Sequence, residues 1–118
     1  MALYRLPSHR EPVTLPVGYE DPASGEVHRE AEVRPVTGGD EIFIGSSVDY
    51  NRFPNDLIYK TLLLSRTVTR IGPRSSITVE DIRRLHAQDL RALEYAVYRI
   101  TYGQEDEAPA PAAAPPAS

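Results

Sequence analysis

The chain contains no cysteine among its 118 residues. This absence excludes a disulfide framework, a thiolate metal site and a cysteine nucleophile. Long apolar runs are also missing: the start, MALYRLPSHREPV, has no apolar core of signal-peptide length, and no stretch approaches the ~18 apolar residues of a membrane-spanning helix. We therefore expect a cytoplasmic protein that does not work at a membrane.

Basic charge is scarcer than acidic charge. The chain has 13 Lys and Arg residues and 17 Asp and Glu residues, a net charge of −4. Three of the acids, Glu105, Asp106 and Glu107, lie near the C-terminus, so residues 1–103 carry a net charge of −1. This nearly neutral body argues against nucleic-acid binding and against a polybasic membrane anchor, because both need clustered cations.

The C-terminal composition separates a tail from the rest of the chain. Residues 104–118 read QEDEAPAPAAAPPAS, with four prolines and no apolar side chain larger than alanine. Such a segment cannot bury enough surface to offset its ordering entropy, so we predict a disordered tail. A proline-rich recognition peptide is the alternative, although a P-x-x-P anchor with a flanking cation is missing. Residues 13–103 are predicted to form a single domain after an irregular arm, residues 1–12, where Pro7 and Pro12 break any helix.

Residues 13–35 have the pattern of a β-hairpin. Val13–Val17 is β-prone, residues 20–26 (EDPASGE) are dense in turn formers, and Val27–Arg34 alternates. Pro16 indicates that the first strand lies at a sheet edge. In the second strand, Val27, Ala31 and Val33 share one face with Arg29. Charged side chains form the opposite face: His28, Glu30, Glu32 and Arg34.

The strongest helical pattern runs from Asn55 or Asp56 to about Arg70. Its apolar stripe advances by steps of four and three residues: Leu57, Thr61, Leu64, Val68 and Ile71. Gly72 and Pro73 follow as a stop signal. We therefore predict a central helix that faces the core.

Shorter helices are predicted on both sides of it. One covers about Asp40–Ser47 and is followed by a loop over residues 48–54. Thr78 and Asp81 resemble a capping box that begins another helix, and a final helix covers about Asp89–Tyr102. The predicted class is α+β, with the N-terminal hairpin packed on three or four short helices.

No catalytic constellation is evident in the sequence. His9, His28 and His86 are far apart and lack the spacing of a zinc site. The pair Asp40–Glu41 could bind a metal, but acids at a helix start explain it better. Glycine motifs for phosphate binding are missing as well. We expect a protein without enzymatic activity and without a cofactor.

Arginine and tyrosine are the candidates for partner binding. Arg66 and Arg70 would lie one turn apart on the central helix, and Tyr95, Tyr98 and Tyr102 follow an i, i+3, i+7 pattern on the last helix. Both types are enriched at interface hot spots, so we predict Arg66, Arg70, Tyr95 and Tyr98 as partner-binding residues. The alternatives are a solvated arginine face and tyrosines at the edge of the core. The charged face of the hairpin is the next candidate surface.

Several segments together resemble one protein family. VTLPVGYEDPASGEVHREAEVRPVTGGDE is similar to the opening of small phage tail assembly proteins, with its T-L-P-x-G-Y and its H-R-E run before an acidic helix start. LIYKTLLLSRTVTRIG resembles their central helix, with the pattern L-L-x-R-x-[VI]-x-R-[IL]-G. ITVEDIRRLHAQDLRALEYAVYRITYG resembles their end. The stretch IFIGSSVDY departs from the family, being more apolar than its usual charged segment. The resemblance covers Val13–Gly103.

The resemblance implies a role in contractile phage tails or phage-derived contractile injection systems. It implies a non-enzymatic assembly factor, similar to a chaperone, whose partner is a tape-measure or baseplate protein. A structural subunit of the baseplate region is the first alternative. A small regulatory or DNA-associated adaptor is the second, and the net charge of the body counts against it.

Overall fold

The structure, a computed structural model, describes residues 4–103. The described elements follow the order β1 (Glu11–Glu20), β2 (Val27–Val33), α1 (Gly38–Gly45), α2 (Val48–Arg52), α3 (Asp56–Thr67), β3 (Val68–Ile71), α4 (Val79–Arg84) and α5 (Ala87–Tyr102). The predicted α+β class with its N-terminal hairpin is confirmed. Within this range no helix combines the length and apolar character of a membrane crossing. The tail predicted over 104–118 lies outside the described residues.

β1 and β2 form the predicted hairpin. They pair antiparallel, with Val13 opposite Ala31. β1 begins at Glu11, inside the predicted arm, and its ten residues extend well beyond Val13–Val17. The strand order β1-β2-β3 places β1 at an edge, as Pro16 predicts, because a residue without an N–H group is tolerated where ladder hydrogen bonds form on one side only.

The central helix ends three residues earlier than predicted. α3 stops at Thr67, and the expected last turn, up to Arg70, belongs instead to the strand β3, which pairs antiparallel with β2. Val68 and Ile71 fit a helical stripe, but β-branched side chains also favour extended backbone. In the structure both side chains belong to a strand of the sheet and are buried in the core. A third strand therefore joins the hairpin, and its pairing partner lies more than 30 residues earlier in the chain.

A single hydrophobic cluster fills the space between the sheet and helices α3, α4 and α5. Its fully buried or nearly fully buried members include Leu15, Tyr19, Val33, Leu64, Ile71, Ile82, Leu93 and Ile100. Leu64 is 2% exposed, as the predicted stripe requires. Leu57, at the start of that stripe, is 67% exposed, because the buried part of α3 begins only at Leu62. The prediction for Leu57 is therefore wrong.

α2 occupies the segment predicted as a loop, and it raises the number of helices within residues 4–103 to five. Its first turn is capped by Ser47, whose hydroxyl accepts a hydrogen bond from the N–H of Tyr50. None of its five residues is buried. The neighbouring apolar residues Ile42 and Val48 are each 72% exposed. The apolar stretch that departs from the family pattern thus lies largely at the surface.

Three helices share one device at their start. The third residue of each is a buried aspartate: Asp40 in α1, Asp81 in α4 and Asp89 in α5. Asp81 forms the predicted capping box and also accepts a hydrogen bond from the Tyr19 hydroxyl at 2.7 Å. Asp89 accepts hydrogen bonds from the N–H groups of Val17 and Gly18 at 2.8 and 3.0 Å. Asp81 and Asp89 thus join the starts of α4 and α5 to β1.

Candidate functional site

A cleft of about 440 Å³ opens between α3 and α5, and we call it the tyrosine cleft. Its aromatic lining consists of Tyr59, Tyr95, Tyr98 and Tyr102. Aliphatic side chains complete the floor and walls: Val36, Leu63, Leu64 and Val97. Four charged side chains also line it: Asp56, Lys60, Arg91 and Glu94. A concavity of mostly apolar side chains with a few polar groups is the usual form of a binding site.

The periodicity of α5 places its tyrosines beside its buried stripe. The buried apolar residues of the helix are Leu93, Ala96, Val97 and Ile100. Tyr95, Tyr98 and Tyr102, spaced three and four residues apart, occupy a neighbouring face. They are 65%, 63% and 52% exposed, respectively. Much of each side chain is therefore available for contact.

Aromatic contacts fix the geometry of the cleft. The ring centroids of Tyr98 and Tyr102 lie 5.1 Å apart, with the planes tilted by 46°. Tyr59 meets Tyr50 of α2 edge to face at 6.0 Å, an arrangement that aromatic pairs favour. Burial is the main reason that the pKa of Tyr59 is raised above its ordinary value of 10.0. The Tyr59 hydroxyl therefore stays protonated at neutral pH and can donate a hydrogen bond.

The charged residues of the cleft pair with one another. Lys60 Nζ lies 3.2 Å from Asp56 Oδ2 and 4.0 Å from Glu94 Oε1. Arg91 Nη2 lies 3.2 Å from Glu94 Oε2. Such partly exposed pairs contribute only about 0–1 kcal/mol each to stability. Their main consequence concerns recognition: two cations balance two anions, so the lining has no net charge and favours an uncharged ligand.

Arg66, a predicted partner-binding residue, makes contacts inside the fold. Its Nε donates to Asp40 Oδ1 at 3.0 Å, and its guanidinium lies 4.4 Å from the centre of the Phe43 ring. Arg34 donates two more hydrogen bonds to the same carboxylate, at 2.8 and 2.9 Å. Burial alone would raise the pKa of Asp40, but hydrogen bonds from Arg34, the Thr37 backbone and Arg66 outweigh it and hold this pKa well below its ordinary 3.8. Arg66 thus joins α3 to the start of α1.

Arg70 lies on β3 rather than one helical turn beyond Arg66, because α3 ends before it. It stands opposite Glu32 in the sheet, and its Nη1 donates to the carbonyl oxygen of Gly72 at 2.9 Å. The structure therefore places Arg70 beside the charged face of the hairpin. Tyr95 and Tyr98 line the tyrosine cleft, whereas the two predicted arginines do not.

Several of the side chains considered as metal ligands make contacts within the fold. Within residues 4–103, no group of three or more His, Cys, Asp or Glu side chains could hold a metal ion. Arginines already occupy the carboxylate of Asp40. His9 Nε2 lies 2.9 Å from Glu11 Oε1, and His86 caps the start of α5 with a ring nitrogen. These histidines thus make local contacts within the fold.

Sequence reasoning missed the contribution of α3 to the cleft. Tyr59 and Leu63 both line it and stand one helical turn apart, so they form a second stripe beside the core stripe. That spacing was the available signal. The place of Lys60 in the cleft depends on how α5 packs against α3, which a pattern within one helix does not contain.

No protein-family model, curated protein or solved structure matches this chain. A function is therefore inferred from the tyrosine cleft and from the resemblance in the sequence.

Proposed function

We propose that this protein is a non-enzymatic assembly factor that binds a protein partner in the tyrosine cleft. The observation that carries the proposal is the exposure of Tyr95, Tyr98 and Tyr102 on one helix, beside an aliphatic floor. Tyrosine offers a large contact area with few rotatable bonds, and it is enriched at interface hot spots. The cleft can therefore hold an apolar segment of another protein at a small entropic cost.

The resemblance to phage tail assembly proteins supplies the setting. In that setting the protein is a chaperone-like factor for a contractile phage tail or a phage-derived injection system. Its partner is a tape-measure or baseplate protein. An exposed apolar cleft suits this role, because an assembly factor covers surface that its client buries only in the finished particle.

Substitution in the cleft tests the binding function. Tyr98→Ala should weaken the binding of the co-purified tape-measure or baseplate protein by ~2 kcal/mol, about 30-fold in Kd. Calorimetric titration of the purified partner measures this loss. The melting temperature should change by only a few degrees, because Tyr98 is 63% exposed. Tyr4→Ala is the matched control, since Tyr4 is 71% exposed and does not line the cleft. A Tyr98→Ala protein that melts much earlier but still binds normally would contradict the proposal.

The composition of mature particles separates the two particle roles. A chaperone should be missing from purified particles, whereas a structural subunit of the baseplate region should be present in a fixed stoichiometry. Binding to duplex DNA that weakens steeply with salt would instead favour the regulatory adaptor.

A further inference from the structure

The tyrosine cleft has the chemistry of a site for a proline-rich chain. Proline-rich segments adopt an extended helix whose carbonyl groups make no internal hydrogen bonds, and grooves lined by aromatic side chains bind them. Four tyrosines line this cleft and offer rings for proline faces and hydroxyls for carbonyl groups. The mutual pairing of Lys60, Asp56, Arg91 and Glu94 leaves the lining without net charge. An uncharged, extended ligand fits these properties.

This chain carries such a sequence directly after the cleft. α5 ends at Tyr102, which is itself part of the lining, and the sequence continues beyond Gly103 as QEDEAPAPAAAPPAS. Gly103 has a φ of +81°, which takes the backbone off the helical path as residues with a Cβ rarely do. We propose that the Ala/Pro segment, residues 108–117, docks in the tyrosine cleft of its own molecule.

The segment is more than long enough to span the cleft. From Tyr102 back to Arg91, α5 advances about 16 Å at 1.5 Å per residue. A proline-rich chain covers this distance with about five or six residues at 3.1 Å each. Docking would require residues 104–107 to make the reversal and would bring Pro109 and Pro111 to the tyrosines. It would also leave the acidic residues at the Tyr102 end, outside the uncharged part of the cleft.

Docking would make the segment a competitor of the partner. A segment tethered by a few residues acts at an effective concentration on the order of 1 mM, so even a Kd of about 1 mM fills the cleft roughly half of the time. A partner that binds with micromolar affinity displaces it. The segment would thus cover the exposed tyrosines until a partner arrives. This consequence rests on the proposed function, whereas the intramolecular contact can be measured without any partner.

The lack of cysteine makes a direct test possible. Ala117→Cys gives the full-length chain its first thiol, and a nitroxide attached there broadens the NMR signals of nearby amides. The amides of Leu63, Arg91 and Tyr95 should lose much of their intensity relative to the reduced label, because a rapidly exchanging segment that is docked about half of the time still broadens nearby amides strongly. The amide of Glu30, on the charged face of the hairpin, should keep its intensity.

Two matched sets of variants identify the contact. In the labelled chain, Tyr95→Ser with Tyr98→Ser should restore the signals of Leu63 and Arg91, whereas Tyr4→Ser should leave them broadened. Pro109→Ser with Pro111→Ser should restore them as well.

Three results would overturn the inference. Undiminished signals around the cleft of the labelled chain would show that the segment does not dock. Broadening that survives both sets of variants would show a contact unrelated to tyrosine and proline. Broadening of an unlabelled ¹⁵N chain by added labelled chain would place the segment in the cleft of a second copy. If the segment docks but Tyr98→Ala binds the partner as well as the unsubstituted chain does, the proposed function is refuted and the intramolecular contact is still supported.

Discussion

Replacement of Asp40 by asparagine tests the ion cluster that joins α1 to α3. The carboxylate is 0% exposed and accepts three hydrogen bonds from Arg34 and Arg66 at 2.8–3.0 Å. Asp40→Asn keeps the shape of the side chain but removes the negative charge between two guanidinium groups. Loss of one partner from a buried pair costs ~3–5 kcal/mol. The side chains of Arg34 and Arg66 are 18% and 37% exposed and can regain water, so we expect a smaller loss of ~2–3 kcal/mol.

Urea unfolding measures this loss. A domain of this size has a total stability of about 5–15 kcal/mol, so the variant should also melt about 8–20 °C earlier. Glu41→Gln is the matched control, because Glu41 is exposed in the same helical turn and lacks the arginine contacts. It should lose no more than ~0.5–1 kcal/mol through its interaction with the helix end. A loss below ~0.5 kcal/mol for Asp40→Asn, or equal losses for both variants, would refute the structural role of the cluster.

The sign of the pH dependence follows from the same contacts. The pKa of Asp40 is lower in the folded state than its ordinary 3.8. Its stabilisation is therefore complete above the unfolded pKa and is lost as the pH falls through the folded pKa. The difference in unfolding free energy between the unsubstituted chain and Asp40→Asn should stay constant from about pH 7 to about pH 5 and shrink below about pH 4. Shrinkage near neutral pH would point to a different titrating group.

Two further predictions concern the core, and urea unfolding checks both. Leu64→Ala should lower the free energy of unfolding by ~2–5 kcal/mol, because Leu64 is 2% exposed. Leu57→Ala should lower it by less than ~1 kcal/mol, because Leu57 is 67% exposed. Similar losses for the two variants would mean that the buried face of α3 is misplaced. Tyr19→Phe removes the hydroxyl that donates to Asp81 at 2.7 Å and should cost ~1–3 kcal/mol. Tyr4→Phe, at an exposed side chain, should cost nearly nothing, and an equally small effect of Tyr19→Phe would show that this hydrogen bond contributes little.

Local signals account for the part of the fold that the sequence predicts well. The turn residues EDPASGE reverse the hairpin, and Thr78 with Asp81 begins α4, because both devices use neighbouring residues. The end of α3 was predicted wrongly for the opposite reason. Val68 and Ile71 continue the helical stripe, but both are β-branched and also favour extended backbone, and pairing with β2 decides between the two conformations. That pairing joins residues distant in sequence, which local propensity does not register.

The same difference between local and long-range signals explains which parts of the candidate site could be predicted from the sequence. The stripe of Tyr95, Tyr98 and Tyr102 is a property of one helix, so periodicity could find it. The ion pair of Arg66 could not be predicted in this way, because its partner Asp40 lies 26 residues away in the sequence. The cleft itself arises where α3 packs against α5, and no pattern within either helix contains that packing.

The edge of the sheet formed by β1 offers few hydrogen-bond donors. Pro12 and Pro16 of β1 have no backbone N–H, and the N–H groups of Val17 and Gly18 donate to the buried Asp89 carboxylate. The pairing of β1 with β2 is also irregular in this region. A long, regular strand edge is a template for fibrillar stacking of one chain on another. The interruptions along β1 leave no long, regular edge on this side of the sheet, so we expect them to disfavour such aggregation at high concentration.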